Sequence, residues 1–486
     1  MTLNRHTSAA SLAQLDGTAP AGKRVHVVTF GCQMNQYDSQ LVEGRFLGAG
    51  YSLSPTLDEA DVVLFNTCSV RDHAEERVYS WLGELKRAKA ARPDLVIGVM
   101  GCMAQRAQDD VFRRAPHVDL VVGTRRFQYL PQLVEELHTR RAERQAPVRE
   151  RRLLDVELGD DVEVARTGET YSGGLHAFLA VMRGCDLNCT YCIVPTTRGR
   201  VMSRPIAALV DEARWLVDQG ARAITLLGQT VNSYGEDLPA PGAGARGGRG
   251  RQGRPSLADL IDALEDVAGL QRLRLITLHP AYVTEALAES IAASSKMERF
   301  LPLPVQSGSD DVLRRMKRGY TTDLYRARVE LLHKHVPDIE LGTDWIVGFP
   351  GETDADFDAS EAFLAEMGFG LNYVFKYDPR PGTKAATVDD DVPTDVKKQR
   401  NQRLLLAAER AQLTRHEAYL GREVEVFVES ESSRWPGWLQ GKTRQGQLCS
   451  FPGDAELLGT QTKVLVGEAS PFGLTGRAVD VGSASR

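Results

Sequence analysis

Short β-branched and apolar runs alternate with longer amphipathic stretches through most of this chain. Val25–Phe30, Ala60–Phe65, Leu95–Met100 and Val118–Val122 read as strands. Ser39–Leu47, Ala74–Ala90, Ala104–Arg113 and a stretch around Tyr129–His138 read as the helices that follow them. Strand and helix in strict alternation predict a parallel α/β sheet over residues 24–141, with residues 1–23 as a flexible tail. A charged stretch turning Gly-, Thr- and Ser-rich predicts a linker over 142–170. The alternation then resumes, with strands at His176–Met182, Ala223–Leu227, Leu273–Leu278, Phe300–Val305, Ile339–Val347 and Tyr373–Tyr377. The helices between them carry apolar residues at a 3.6 period, most clearly Ile206, Leu209, Val210, Ala213, Leu216 and Val217. Residues 171–415 therefore form a second domain of six βα units. A charged helix, Val396–Tyr419, leads into five short strands at Glu423–Glu429, Trp438–Thr443, Leu448–Phe451, Lys463–Ala469 and Leu474–Val481. Short strands at regular spacing predict a small antiparallel β-barrel over 416–481.

Cysteine placement changes the picture. Cys185, Cys189 and Cys192 stand in C-x3-C-x2-C spacing, with Tyr191 before the last. Thiolates hold iron–sulfur clusters, and three of them leave one iron of a cubane open. A zinc site wants a fourth Cys or His close by, and the next histidine after Cys192 is His279. Cys32, Cys68 and Cys102 each fall just after a predicted strand. The carboxyl ends of parallel strands share one edge of the sheet, where ligands bind. Core cysteines that merely fill space would fall within the strands, so these three are read as a second three-thiolate cluster site. Cys449 has no partner spacing and is expected to be a buried hydrophobe. Trp435 and Trp438 are expected to fill the little barrel.

Composition narrows the class further. The 486 residues carry seven cysteines and a net charge of −6. That is too few cysteines for a disulfide scaffold and too acidic for a grossly basic nucleic-acid binder. No apolar run reaches the ~20 residues of a membrane helix, and Met1–Gly22 lacks the apolar stretch of a secretory signal. A cytoplasmic protein is expected. One segment, 238–255, is basic and Gly-rich, and reads as a tolerated loop extension.

The words Arg183-Gly184-Cys185-Asp186-Leu187-Asn188-Cys189-Thr190-Tyr191-Cys192 resemble the signature of radical S-adenosylmethionine (SAM) enzymes. Gly31-Cys32-Gln33-Met34-Asn35 and Asn66-Thr67-Cys68-Ser69-Val70-Arg71 resemble motifs of their methylthiotransferase branch. So do L-L-G-Q-T-V-N-S-Y from Leu226, the run from Val305 to Thr321, and V-P-T-T-R-G-R-V-M-S-R-P from Val194. The resemblance implies a partial (β/α)6 barrel for the middle domain and a TRAM domain for the last. It implies two [4Fe-4S] clusters and SAM. The Cys185/Cys189/Cys192 cluster would generate a 5′-deoxyadenosyl radical from SAM, and the Cys32/Cys68/Cys102 cluster would present sulfur. Gln229, Gln306, Ser307 and Asp344, at the ends of predicted strands, are the expected SAM contacts. The implied substrate is the isopentenylated adenosine at position 37 in the anticodon loop of tRNA. A flavodoxin- or ferredoxin-like electron donor is the implied protein partner, and a monomer is expected. The alternatives are methylthiolation of threonylcarbamoyladenosine or of a ribosomal-protein aspartate, a non-catalytic iron–sulfur RNA-binding protein, and a zinc protein.

Overall fold

The computed structural model describes residues 22–69, 72–142, 152–159, 173–240 and 247–479. The expected tail, most of the expected linker, the middle of the 238–255 extension and Val481 lie outside them. By its internal contacts the chain divides into two compact units. The first comprises residues 1–172 with 184–186 and 193–200; the second comprises 173–183, 187–192 and 201–486. Two stretches beyond the expected boundary near residue 171, 184–186 and 193–200, thus belong with the first unit.

The first unit is built on a six-stranded, all-parallel sheet in the order β2-β1-β3-β4-β5-β6. Its strands are β1 (Arg24–Phe30), β2 (Ser52–Leu53), β3 (Val62–Thr67), β4 (Val96–Gly101), β5 (Leu120–Val122) and β6 (Leu153–Asp155). All six residues of β3 and of β4 are buried, as expected of strands covered on both faces. Val62 and Leu64 pack with Phe46 and Leu133 on one face, Val63 and Phe65 with Leu82 and Phe112 on the other. β6 lies inside the expected linker. Three residues are too few to show a period, and β6 is fixed by tertiary means. It pairs with β5, and Asp155 accepts from Arg126 Nε at 2.8 Å through both oxygens.

In the second unit β7 (His176–Ala180), β10 (Ala223–Leu227) and β11 (Arg272–Leu275) form one parallel sheet. β12 (Phe300–Pro302), β13 (Glu340–Val347) and β14 (Leu371–Lys376) form another. Leu278 N donates to Pro302 O at 3.2 Å where β11 meets β12, giving the six-strand order of a partial (β/α)6 barrel. Pro302 and Pro304 cannot donate to a ladder, which keeps β12 short. A small antiparallel pair, β8 (Met182–Arg183) with β9 (Met202–Ser203), escaped the sequence reading.

β15 (Glu423–Glu431), β16 (Trp438–Thr443), β17 (Leu448–Pro452), β18 (Gln461–Ser470) and β19 (Gly473–Ala478) close into a barrel. Its pairs are antiparallel except β17 with β19, which is parallel. Val426, Cys449, Phe451 and Val464 fill it. Trp435 and Trp438 do not; they pack on each other at 5.0 Å, half-buried, with Arg434 over Trp435. Buried arginines of β11 reach this barrel: Arg272 pairs with Glu425, and Arg274 with Glu298 and Glu429. In the described part of the 238–255 extension, Arg249 pairs with Asp259 and Asp262, so one of its basic groups is used internally. Among the described residues no helix is long and apolar enough to cross a membrane.

Candidate functional site

In the first unit the three expected cysteines come to one edge of the sheet. Cys32 follows β1 and is the N-cap of helix Gln33–Gly48. Cys68 follows β3, and its N–H donates to Phe30 O at 2.9 Å. Cys102 follows β4 and opens helix Cys102–Ala107. Two buried asparagines set these loops. Asn35 Oδ1 accepts from Cys32 N at 3.4 Å and Cys32 Sγ at 3.2 Å. Asn35 Nδ2 donates to Asn66 Oδ1 at 3.0 Å, and Asn66 Nδ2 returns a bond to Asn35 O at 2.8 Å. Gly101, at φ +93, leaves room for this pair: a Cβ there would lie 2.4 Å from Asn66 Oδ1.

A buried ion pair stands beside the thiols. Arg198 Nη1 donates to Asp38 Oδ2 at 2.7 Å, with both side chains at most 4% exposed. The Arg198 guanidinium acts electrostatically on both Cys102 and Cys32. Its segment is tied down within the same unit. Thr124 Oγ1 donates to Thr197 O at 2.6 Å, Arg125 Nε to Arg198 O at 3.1 Å, and Cys185 N to Gly199 O at 3.1 Å. The Cys68 hydrogen bond, the Arg198 charge and the N–H groups of Asn35 and Met34 outweigh burial and bring the Cys32 thiol down to about 5. Burial instead pushes the Cys102 thiol up. Among the described residues no three His, Cys, Asp or Glu side chains surround a single-ion site. Cluster ligation instead puts one cysteine on each of three irons. Three thiols at one sheet edge, beside a buried cation that favours thiolate, fit that chemistry.

Cys32 labelling reads out this environment directly. In the cluster-free protein Cys32 should be alkylated by iodoacetamide as a thiolate at neutral pH, its reactivity falling only as pH drops through about 5. Mass spectrometry of the labelled peptide across pH checks this; a midpoint near the ordinary thiol value would contradict it.

Gly184 precedes Cys185 at φ +76, and a Cβ there would lie 2.0 Å from Arg200 O. Gly184→Ala must therefore move backbone. About 1–3 kcal/mol of strain is expected, with iron content after reconstitution well below wild type as the readout.

In the second unit the loop of Cys189 and Cys192 is held from several sides. Cys192 N donates to Cys189 O at 3.1 Å, Thr190 N to Met316 O at 3.0 Å, and Ala385 N to Thr190 O at 2.8 Å. Tyr191 meets Phe349 edge-on at 6.5 Å. Buried Arg318 donates to Cys189 Sγ at 3.3 Å and to Pro304 O at 3.3 Å. Tyr320 OH accepts from Arg318 Nε at 3.2 Å and donates to Val305 O at 2.7 Å.

The four expected SAM contacts differ in what they offer. Among the described residues Gln229 Oε1 is buried without a hydrogen-bond partner, an arrangement that a bound polar ligand would satisfy. Gln306 sits at φ +72, and its N–H donates to Asp344 O at 2.9 Å. Asp344 is half-buried on β13. The Ser307 hydroxyl is already engaged, accepting from Ser309 N at 3.2 Å and meeting Ser360 Oγ at 3.3 Å. Asn35, Asp38, Asn66, Arg198 and Arg318 were given no role from sequence. All but Asp38 lie inside the quoted motifs, which is the signal that was available.

Comparison with known proteins agrees with this layout. Residues 24–123 match the model of "Uncharacterized protein family UPF0004", 179–364 that of the radical SAM superfamily, and 417–479 that of the TRAM domain. The tRNA-2-methylthio-N(6)-dimethylallyladenosine synthase of Moorella thermoacetica is 41% identical over 95% of this chain and 99% of its own. The chain belongs to the tRNA-2-methylthio-N(6)-dimethylallyladenosine synthase family. Its counterpart of the same name from Burkholderia cenocepacia is 40% identical over 94% of this chain and 98% of its own. Among solved structures, the radical SAM methyltransferase TsrM of Kitasatospora setae shares the fold, with a TM-score of 0.52 over 73% of each chain and 15% identity. Members of the radical SAM superfamily use an iron–sulfur cluster and SAM, and this synthase-family chain is one of them.

Proposed function

We propose that this chain replaces the C2 hydrogen of N6-dimethylallyladenosine at position 37 of tRNA with a methylthio group. The observation that carries the reading is the gathering of Cys32, Cys68 and Cys102 at adjacent strand ends, a thiolate set additional to the radical SAM motif. Sulfur insertion needs a sulfur source besides a hydrogen-abstracting agent, and two three-cysteine sets divide those tasks. Cys185, Cys189 and Cys192 would hold one [4Fe-4S] cluster, and Cys32, Cys68 and Cys102 a second. When bound, these clusters and SAM supply one-electron reduction, hydrogen abstraction, sulfur and a methyl group.

The protein's own share is positioning and electrostatics. Arg198 places positive charge beside the first thiolate set, and Arg318 does so at Cys189, each offsetting the negative charge of ligating sulfur. The two asparagines fix the strand-end loops. Gln229, Gln306 and Asp344 supply polar groups to SAM, with Ser307 holding the turn behind them. An anticodon-loop base is already unpaired, so presenting it costs less than extruding one from a duplex. Domain limits of 24–141, 171–415 and 416–481, a monomer, a cytoplasmic setting and a flavodoxin- or ferredoxin-like donor complete the reading.

The test is anaerobic turnover with reconstituted protein on three substrates: an anticodon stem-loop carrying N6-dimethylallyladenosine, one carrying threonylcarbamoyladenosine, and a ribosomal protein with its target aspartate. Nucleoside and peptide mass analysis should show methylthio product on the first alone. Product on either of the others instead would overturn the substrate assignment. SAM left intact under reducing conditions would overturn the enzymatic one.

A further inference from the structure

One face of β14 is left open by the described residues. Helix Thr394–Glu417 runs along the outer edge of β14 and reaches its other face: Asn372 N donates to Gln412 Oε1 at 3.1 Å, Asn401 Nδ2 to Val374 O at 3.0 Å, and the buried Asn372 side chain donates through Nδ2 to Gln412 Oε1 at 3.5 Å. Trp345 Nε1 donates to Asn372 Oδ1 at 3.0 Å, placing buried Trp345 on that covered side as well. Alternation along a strand then turns Tyr373 and Phe375 the opposite way. They are 53% and 44% exposed, their rings near-parallel at 24° with centroids 6.5 Å apart. Burying such rings is ordinarily favourable, so an exposed pair of this kind marks a binding surface.

The neighbours define what the pair would take. Register sets Tyr373 beside Asp344 and Phe375 beside Ile346, and residues opposite each other share a face. Asp344 and Ile346 are the two residues of β13's last four that are not buried. Ile346 also packs with Phe349 and Tyr377 in the cluster that includes Tyr191, the residue just before Cys192. The aromatic face is thus continuous with the cysteine loop. The β13 and β14 side chains on it bring an acid and an alkyl group and no cation, the wrong chemistry for phosphate. The rings, spaced about 7 Å along the strand, suit a flat purine on one and an apolar substituent on the other.

We propose that Tyr373 and Phe375 form the wall that receives the adenine and its N6-dimethylallyl group, and so set the preference for the prenylated base. The inference rests on the proposed function and goes beyond it by naming the residues that read the substrate.

The test uses full-length reconstituted protein and two anticodon stem-loop RNAs, identical except for N6-dimethylallyladenosine or plain adenosine at the target position. The Kd of each RNA is measured by fluorescence anisotropy, with SAM binding measured separately. Wild type should prefer the prenylated RNA. Tyr373→Ala/Phe375→Ala should reduce that preference about tenfold, as expected for loss of base–aromatic stacking, with SAM affinity within about twofold of wild type. Tyr373→Phe should keep the preference. Phe375→Leu and Tyr373→Ala singly carry the test should the double variant misfold, each giving an intermediate loss. A preference retained in the alanine variants, or a fall in SAM affinity with RNA preference intact, overturns the inference. Turnover separates the two levels: wild type that methylthiolates the prenylated RNA while the variants keep its selectivity sinks only this inference. Wild type with no such turnover sinks the function beneath it.

Discussion

Replacing Cys32, Cys68 and Cys102 together with alanine is expected to abolish methylthiolation while SAM cleavage continues. Replacing Cys185, Cys189 and Cys192 should abolish both. Each cubane carries four irons, so anaerobically reconstituted wild type should hold about eight irons and about eight sulfides per chain, and either triple variant about four of each. The two variants lose the same metal yet differ in product, because one set is assigned to hydrogen abstraction and the other to sulfur. Chromatography of 5′-deoxyadenosine and of the nucleosides from digested RNA reads both losses in one reaction. Wild type with about four irons, falling to none in the Cys185/Cys189/Cys192 variant, would leave the first set structural and end the methylthiotransferase reading. The first set lies outside the strands of the packed sheet. Cys32 is exposed; Cys68 and Cys102 are buried but stand beyond the strand ends, Cys68 just after β3 and Cys102 at the first position of a helix.

That prediction could be framed from sequence because the relevant geometry is local. A β-branched run ending in Gly-Cys or Asn-Thr-Cys fixes where the thiol sits on its strand, and parallel topology does the rest. The six βα units and the last barrel were legible for the same reason, since apolar periodicity reports which face is buried. What escaped depends on distant parts of the chain. β6 exists because Arg126 and β5 hold a three-residue stretch of an otherwise charged segment. Ser307 is placed at a strand end by the sequence, but that its hydroxyl also engages Ser309 and Ser360 is announced by no local pattern. Tyr373 and Phe375 read from sequence only as residues of a strand. Only the position of helix Thr394–Glu417 shows that their face is the open one. The division of residues 184–200 between two units was equally invisible, because nothing in V-P-T-T-R-G-R says which sheet will hold it.

Arg198→Met should be the most destabilising single change in the first unit. The substitution keeps much of the side chain's length and removes its charge, leaving the Asp38 carboxylate in a place that is 0% exposed. Breaking a buried pair from one side costs about 3–5 kcal/mol, because the remaining ion has lost its partner and cannot reach water. Hydrogen exchange at the buried amides of β3 and β4 is the suitable measure, since it reports this unit without assuming that the whole chain unfolds as one. Asp38→Asn added to Arg198→Met should recover part of the loss, as removal of both charges spares the unpaired one. The double variant also separates stability from function. Its fold should be partly restored, yet the cation beside Cys32 and Cys102 is gone, so Cys32 alkylation in the cluster-free protein should shift to higher pH. Equal exchange rates in wild type and Arg198→Met would show that the pair contributes nothing to the sheet. An unshifted Cys32 profile would show that the guanidinium does not act on the thiol it lies beside. The ion pair is asked to hold a strand-end loop and to favour thiolate at once, and these two readouts can fail independently.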